Sequence, residues 1–188
     1  STDVPERAAD LQGYEPTAIN NLLKILEPFW ALDSKQTAAC LTKLAYIISV
    51  GIYDENGNAI TSAKMGAQIK IKVHYKTLSE EPVHIHFVIK NKYNQIVTAF
   101  GSYNLKVQLP DLAVGEEAIF ELGIQMSLEA GEYVFCLSLT QPSACGVSVD
   151  YIDQTPWLGP LQVSWRYNEE VPPFYGLAGM NCSGKFLT

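Results

Sequence analysis

Three histidines carry the chemistry that is easiest to draw from this sequence. His84 and His86 lie two residues apart in an alternating run, and His74 lies in the run before it. Residues two apart on a β-strand point to the same face, about 7 Å from each other. With His74 on a neighbouring strand, the three imidazoles could bind zinc or iron. A metal-dependent β-sandwich enzyme that uses His74, His84 and His86 is therefore one hypothesis.

The surroundings of these histidines argue against a metal. No glutamate completes a His-x-His-x-Glu arrangement, and the lysines at 70, 72 and 76 would repel a cation. A solvated polar sheet face is the simpler interpretation, because neutral imidazoles can hydrogen-bond water or a polar ligand. We therefore expect no metal site and no cofactor.

The strand that carries His84 and His86 is defined by strict alternation. Its apolar parity comprises Val83, Ile85, Phe87 and Ile89, and its other parity comprises His84, His86, Val88 and Lys90. Alternation of this kind is typical of a half-buried strand in an antiparallel sheet. The strand should therefore bury one face and expose the histidines on the other.

The same pattern recurs through the rest of the chain. Further strands are predicted at Leu44–Tyr53, Gln68–Leu78, Ile96–Phe100, Ala118–Met126, Tyr133–Thr140, Asp150–Asp153 and Leu158–Arg166. Turn residues such as Asn56-Gly57 separate them. About seven or eight strands without helix–strand alternation predict an all-β, antiparallel, immunoglobulin-like or jelly-roll-like β-sandwich.

The first 42 residues have a different pattern. A polar lead-in precedes an amphipathic helix, in which apolar residues recur at three- and four-residue steps from Ile19 to Trp30. A second short helix is possible at Ser34–Lys43. We therefore divide the chain into residues 1–42, the lead-in and helix, and residues 43–188, the sandwich. The helix could pack within the domain or against a second subunit.

Composition narrows the function classes. The net charge of −7 opposes binding to nucleic acid or to an anionic membrane surface. Leu44–Tyr53, the most apolar run, is far shorter than the ~20 residues that span a bilayer, and we expect no secretory signal. Cys40, Cys136, Cys145 and Cys182 have no C-x-x-C spacing, so we expect free thiols in a reducing compartment.

Several short segments, taken in order, are similar to one family. They are residues 50–57, 66–75, 86–97, 128–133, Asp150–Asp153 and 174–177. Together they resemble the C-terminal polysaccharide-binding domain of Wzt-type ATP-binding subunits of O-antigen ABC transporters. The resemblance covers about residues 44–180, and the apolar lead-in and the last eight residues depart from the family pattern.

The resemblance implies a carbohydrate-binding module in lipopolysaccharide biosynthesis. Such a module recognises the non-reducing, terminated end of the O-antigen on the cytoplasmic side of the inner membrane. It reaches the membrane subunit of the transporter through the parent protein. The family also implies a homodimer, in some cases with an exchanged C-terminal strand. No phosphate-binding loop or nucleophile elbow occurs in the chain, so we expect this chain to be neither the ATPase nor another enzyme.

Sugar recognition needs flat apolar rings and fixed hydrogen-bonding groups. The candidate glycan-binding residues, on exposed parities and loops, are His84, His86, Tyr93, Tyr103, Asn104 and Trp157. Lys70, Lys72 and Lys90 could face an anionic terminal group. A third hypothesis is an oligomerisation module, with the helix over residues 17–30 and the C-terminal tail as assembly surfaces.

Overall fold

The computed structural model describes residues 44–143 and 149–180, together with the backbone of residues 30–31. Ten strands lie in these residues. They are β1 (Trp30–Ala31), β2 (Ala45–Asp54), β3 (Ser62–Lys64), β4 (Gln68–Thr77), β5 (His84–Asn91), β6 (Ile96–Gly101), β7 (Glu117–Gln125), β8 (Gly131–Pro142), β9 (Val149–Gln154) and β10 (Leu158–Ser164).

The strands form two sheets that pack as a sandwich. The four-stranded sheet has the order β1-β2-β4-β7, and the six-stranded sheet has the order β3-β10-β8-β5-β6, with β9 also paired to β8. Strand β8 is long enough to take two partners along one edge. Its first half pairs with β10 and its second half pairs with β9. β9 and β10 therefore lie one after the other along the edge of β8 that is opposite β5.

Alternating apolar side chains from both sheets form the core. The fully buried ones include Ile47, Ile52, Ile71, Val73, Phe87, Phe135, Leu137 and Leu139. The ring of Phe87 packs against Phe100 and Phe135, with centroids 5.5 and 6.0 Å away. Burying each large side chain contributes about 1.5–3 kcal/mol, so this interior is what holds the outer faces in place.

A buried carboxylate joins the two sheets along one side. The register of β2 against β4 shifts between Ile47 and Ser49. The backbone N–H of Ile47 donates to Asp153 Oδ2 of β9, at 2.7 Å. Because a buried N–H without an acceptor is costly, this bond fixes β9 over the edge of the four-stranded sheet.

The prediction of an all-β sandwich is confirmed, with three corrections. β3 pairs with β10 in parallel, so the sandwich is mixed and not purely antiparallel. β3 was not predicted, because three residues with one buried side chain, Ala63, give too little alternation. Trp30, predicted at the end of a helix, lies in strand β1, whereas the rest of that helix and Ser34–Lys43 lie outside the described residues.

Two further expectations concern thiols and the membrane. Cys136 is buried and free, and Cys40, Cys145 and Cys182 lie outside the described residues. In the part of the chain that the structure describes, no helix is long and apolar enough to cross a membrane.

Candidate functional site

The outer face of β5 and its neighbours brings the predicted polar residues together. His84 and His86 of β5 pair across the strands with Thr140 and Ser138 of β8, and these in turn pair with Tyr151 and Gln154 of β9. Paired residues share a face, so the surface continues from β5 across β8 to β9. We call this surface the β5 face.

His84 is held in place at one end of the β5 face. Ser102 Oγ lies 3.0 Å from His84 Nδ1 and accepts the N–H of Ile85, also at 3.0 Å. The hydroxyl has one proton and two lone pairs, so it can donate to Nδ1 or accept from it, and either bond fixes the orientation of the ring. The Tyr103 ring stands edge-on to the imidazole, with centroids 5.1 Å apart. His84 is therefore an oriented hydrogen-bonding ring beside an exposed aromatic ring.

The turn that carries Ser102 depends on a close backbone approach. A Cβ at Gly101 would collide with the carbonyl oxygen of Ile85, so only glycine allows β6 to lie this close to β5. Ser102 N also donates to that carbonyl, at 2.9 Å. The turn thus places Tyr103 over the start of β5.

A polar row lies in the middle of the β5 face. His86 and Gln154 are half-buried on either side of Ser138, which is fully buried. Gln154 Nε2 donates to Cys136 Sγ, at 3.2 Å. Burial lowers the pKa of both His84 and His86, so both imidazoles are neutral near pH 7 and able to donate and accept.

A second aromatic residue stands at the other end of the face. Leu158 pairs with Phe135, so Trp157 is level with Cys136. The Lys90 ammonium lies 4.1 Å from the centre of the Trp157 ring and donates to Asn94 Oδ1, at 2.9 Å. Trp157 is 44% exposed, so its indole can contact a ligand that lies on the face.

The six predicted glycan-binding residues do not form one cluster. His84, His86 and Tyr103 lie together, Asn104 follows in the exposed turn, and Trp157 stands at the far end of the face. Tyr93 lies in the β5–β6 turn and lines a separate hollow of about 500 Å³ together with Glu129 and Tyr133.

Sequence reasoning missed Ser102, Tyr151 and Gln154. Tyr151 is 45% exposed, and it reaches the face because the register of β9 shifts between Leu139 and Thr140 of β8. The signal for Ser102 was its place two residues after Phe100, at the end of a strand. No sequence signal connects Gln154 with His86.

The three-histidine metal site is wrong. His74 lies on β4 in the four-stranded sheet, on the outer side of the sandwich opposite His84 and His86. Its Nε2 lies 2.9 Å from Glu117 Oε2. Burial is the largest influence on the His74 pKa and lowers it, although Glu117 acts in the opposite direction. Among the described residues there is no group of three or more His, Cys, Asp or Glu that could hold a metal ion.

The shared lysine face is also wrong. Lys70 and Lys72 lie on β4 and pair with Glu121 of β7, at 3.3 and 3.4 Å. Lys90 lies on the other sheet, against Trp157. Because the two sheets have separate outer faces, these three cations cannot meet one anionic group, and Lys70 and Lys72 already share the carboxylate of Glu121.

An apolar cleft lies on the open side of the sandwich. Within the described ranges, β6 pairs only with β5, and β7 pairs only with β4. Between these two edges is a space of about 300 Å³, lined by Phe87, Phe100, Ile124, Met126 and Leu128, with Gly179 at its border. Phe100 and Ile124 are half-buried at the mouth of the cleft, and Phe87, Met126 and Leu128 are buried at its base. Apolar side chains beside two free strand edges are features of an assembly surface.

Comparisons with known proteins agree with this architecture. The family model described as the Wzt C-terminal domain matches residues 38–176. A crystal structure of the C-terminal domain of Wzt superposes with a TM-score of 0.64 at 14% identity, covering 78% of this chain and 86% of that one. At this identity the likeness shows a shared fold.

A smaller likeness is found to a β-D-mannosidase from Dictyoglomus thermophilum. It has a TM-score of 0.36 and 18% identity over 57% of this chain and 13% of the enzyme. A search of curated proteins found no match.

Proposed function

The chain belongs to the Wzt C-terminal domain family, and on that premise we propose that it binds the non-reducing, terminated end of an O-antigen-type polysaccharide. The family is associated with polysaccharide-export transporters, and the domain is non-catalytic. The proposed setting is the cytoplasmic side of the inner membrane, where the parent protein joins the membrane subunit of an ABC transporter.

One observation carries this proposal, namely the composition of the β5 face. Half-buried, hydrogen-bonding side chains lie between exposed aromatic rings, with Tyr103 55%, Tyr151 45% and Trp157 44% exposed. Aromatic rings cover the C–H faces of sugars, and fixed polar groups bind their hydroxyls. Few other ligand classes need both at once on an open sheet.

The acidic balance of the chain fits a neutral glycan better than a polyanion. The net charge is −7, and Lys90 is the cation that contacts the aromatic part of the face. A nucleic acid would need a broad basic surface, which Lys70 and Lys72 of β4, both paired with Glu121, do not provide.

Calorimetric titration with O-polysaccharide purified from the strain that encodes this chain tests the proposal. We expect saturable binding that Tyr103→Ala weakens about tenfold, since loss of one aromatic contact costs about 1.4 kcal/mol. Tyr175→Ala is the matched control, because Tyr175 is 80% exposed and lies outside the face. Absence of binding to this and to other terminated polysaccharides would remove the proposal.

We further propose that the domain assembles as a homodimer through the cleft between β6 and β7. The apolar lining and the two free strand edges support this assignment, and an oligomerisation role is compatible with glycan binding. Light scattering should give twice the mass of one chain, and Phe100→Asp should shift the protein to a monomer because it places a charge in the cleft. A wild-type protein that is monomeric at every concentration would contradict it.

A further inference from the structure

We propose that the β5 face holds a stretch of several consecutive sugar residues, with at least one residue at each of its two aromatic ends. This inference rests on the proposed function and adds the length of glycan that the site recognises.

The two aromatic ends of the β5 face are too far apart for one sugar residue. Tyr103 packs on His84, and Tyr151 lies in the same row, paired with Thr140 opposite His84. Trp157 is level with Cys136, which pairs with Val88. Four residues along β5 correspond to about 13 Å, which is more than one sugar ring can span, so one sugar residue cannot contact both ends.

A polar row lies between the two aromatic ends. His86 and Gln154 lie halfway along the face and are half-buried. In the described part of the chain neither His86 Nδ1 nor Ser138 Oγ below it has a hydrogen-bond partner. His86 and Gln154 are only half-buried, so a hydroxyl-bearing ligand that lies on the face can hydrogen-bond the side chains of this row.

The surface of the β5 face is continuous between its two aromatic ends. On the β6 side of this row lie Ala99 and Gly101, which pair with Val88 and His86, and on the β8 side lie buried Cys136 and Ser138. These side chains are too short to block a chain that runs along β5. A polymer can therefore cross from the Tyr103 end to the Trp157 end without interruption.

The test is a length series made from one polysaccharide. The O-polysaccharide of the encoding strain is cleaved partially and separated into fragments that retain the non-reducing end, from a single sugar upwards. Each fragment is titrated by calorimetry into the complete chain and into Tyr103→Ala, Trp157→Ala and the control Tyr175→Ala. The denaturation midpoint of every variant establishes that it is folded.

We expect the wild-type affinity to rise with length and then to level off. Tyr103→Ala and Trp157→Ala should each lower the plateau about tenfold, whereas the single sugar should be sensitive to at most one of them. Affinity that is independent of length, or a single sugar weakened equally by both substitutions, would overturn the inference while leaving glycan binding intact. Failure of the intact polysaccharide to bind overturns the proposed function itself.

Discussion

The Lys90 ammonium lies 4.1 Å from the centre of the Trp157 ring, which links the end of β5 to the loop before β10. A cation over an indole at an exposed site contributes about 0.5–1 kcal/mol. The contact also orients the indole for a ligand. The effect of removing Lys90 on stability can be measured without the glycan, separately from its effect on glycan binding.

Lys90→Ala should lower the free energy of unfolding by about 0.5–1 kcal/mol, measured by urea denaturation. Lys92→Ala is the matched control, because the Lys92 ammonium lies 5.1 Å from the centre of the 70% exposed Tyr93 ring and should contribute less. Equal losses in the two variants would show that the Lys90–Trp157 contact has no special role.

Ser102→Ala should destabilise the domain by about 1–3 kcal/mol, because it leaves the buried N–H of Ile85 without its acceptor. The same variant frees His84 Nδ1 and should weaken glycan binding. Ser79→Ala removes a similar hydroxyl, the acceptor of Glu81 N–H, at an exposed site, and should change the unfolding free energy by a few tenths of a kcal/mol at most. A Ser102→Ala variant as stable as Ser79→Ala would contradict this prediction.

Stability should fall as the pH drops below about 6.5, the pKa of histidine in the unfolded chain. Burial lowers the folded-state pKa of His74, His84 and His86. Between the folded and unfolded pKa values the unfolded state binds more protons, so the unfolding free energy decreases on acidification until the folded-state values are reached. Asp54 titrates below 3.8 and lies outside this window.

Urea denaturation at a series of pH values between about 7.5 and 5 measures this effect. His86→Gln should reduce the slope of the unfolding free energy against pH, because it removes one of the three histidines whose pKa is lowered by burial. A slope that is unchanged in His86→Gln, or a protein that gains stability on acidification, would contradict the assignment.

Phe87→Ala should cost about 3–5 kcal/mol of unfolding free energy, because it opens a cavity beside Phe100 and Phe135, which both pack on the Phe87 ring. Phe100→Ala should cost clearly less, since the Phe100 ring is half-buried and lines the cleft. Chemical denaturation measures both, and similar losses would show that the cleft is as tightly packed as the core.

Much of the fold could be predicted from alternation alone. The parity of β5 placed Ile85 and Phe87 inside and His84 and His86 outside, and the structure agrees. Alternation depends on the two-residue period of a single strand, so it assigns faces without knowledge of the neighbours.

Sheet membership could not be predicted in the same way. β4 and β5 are consecutive in sequence, but the chain crosses between them from one sheet to the other. His74 and His84 therefore lie on opposite sides, although each sits on the polar parity of its own strand. Lys70 and Lys90 are separated for the same reason, because alternation carries no information about strand order.

The part of the candidate site on β9 depends on irregular geometry. Tyr151 and Gln154 share the β5 face because of the register shift in β9. In a regular strand their separation of three positions would place them on opposite faces. A shift of one residue is set by the packing of Ile152 and Asp153 in the interior. Such a shift is invisible to periodicity.

The bond between Ile47 and Asp153 Oδ2 gives the two long margins of the sandwich different mechanical properties. At the margin that has this bond the two sheets are held together, whereas at the margin between β6 and β7 they can separate. Amide protons along β6 and β7 should therefore exchange with solvent sooner than those of β2 and β8. A second molecule bound between the sheets would slow the exchange of β6 and β7 and leave the exchange of β2 and β8 unchanged.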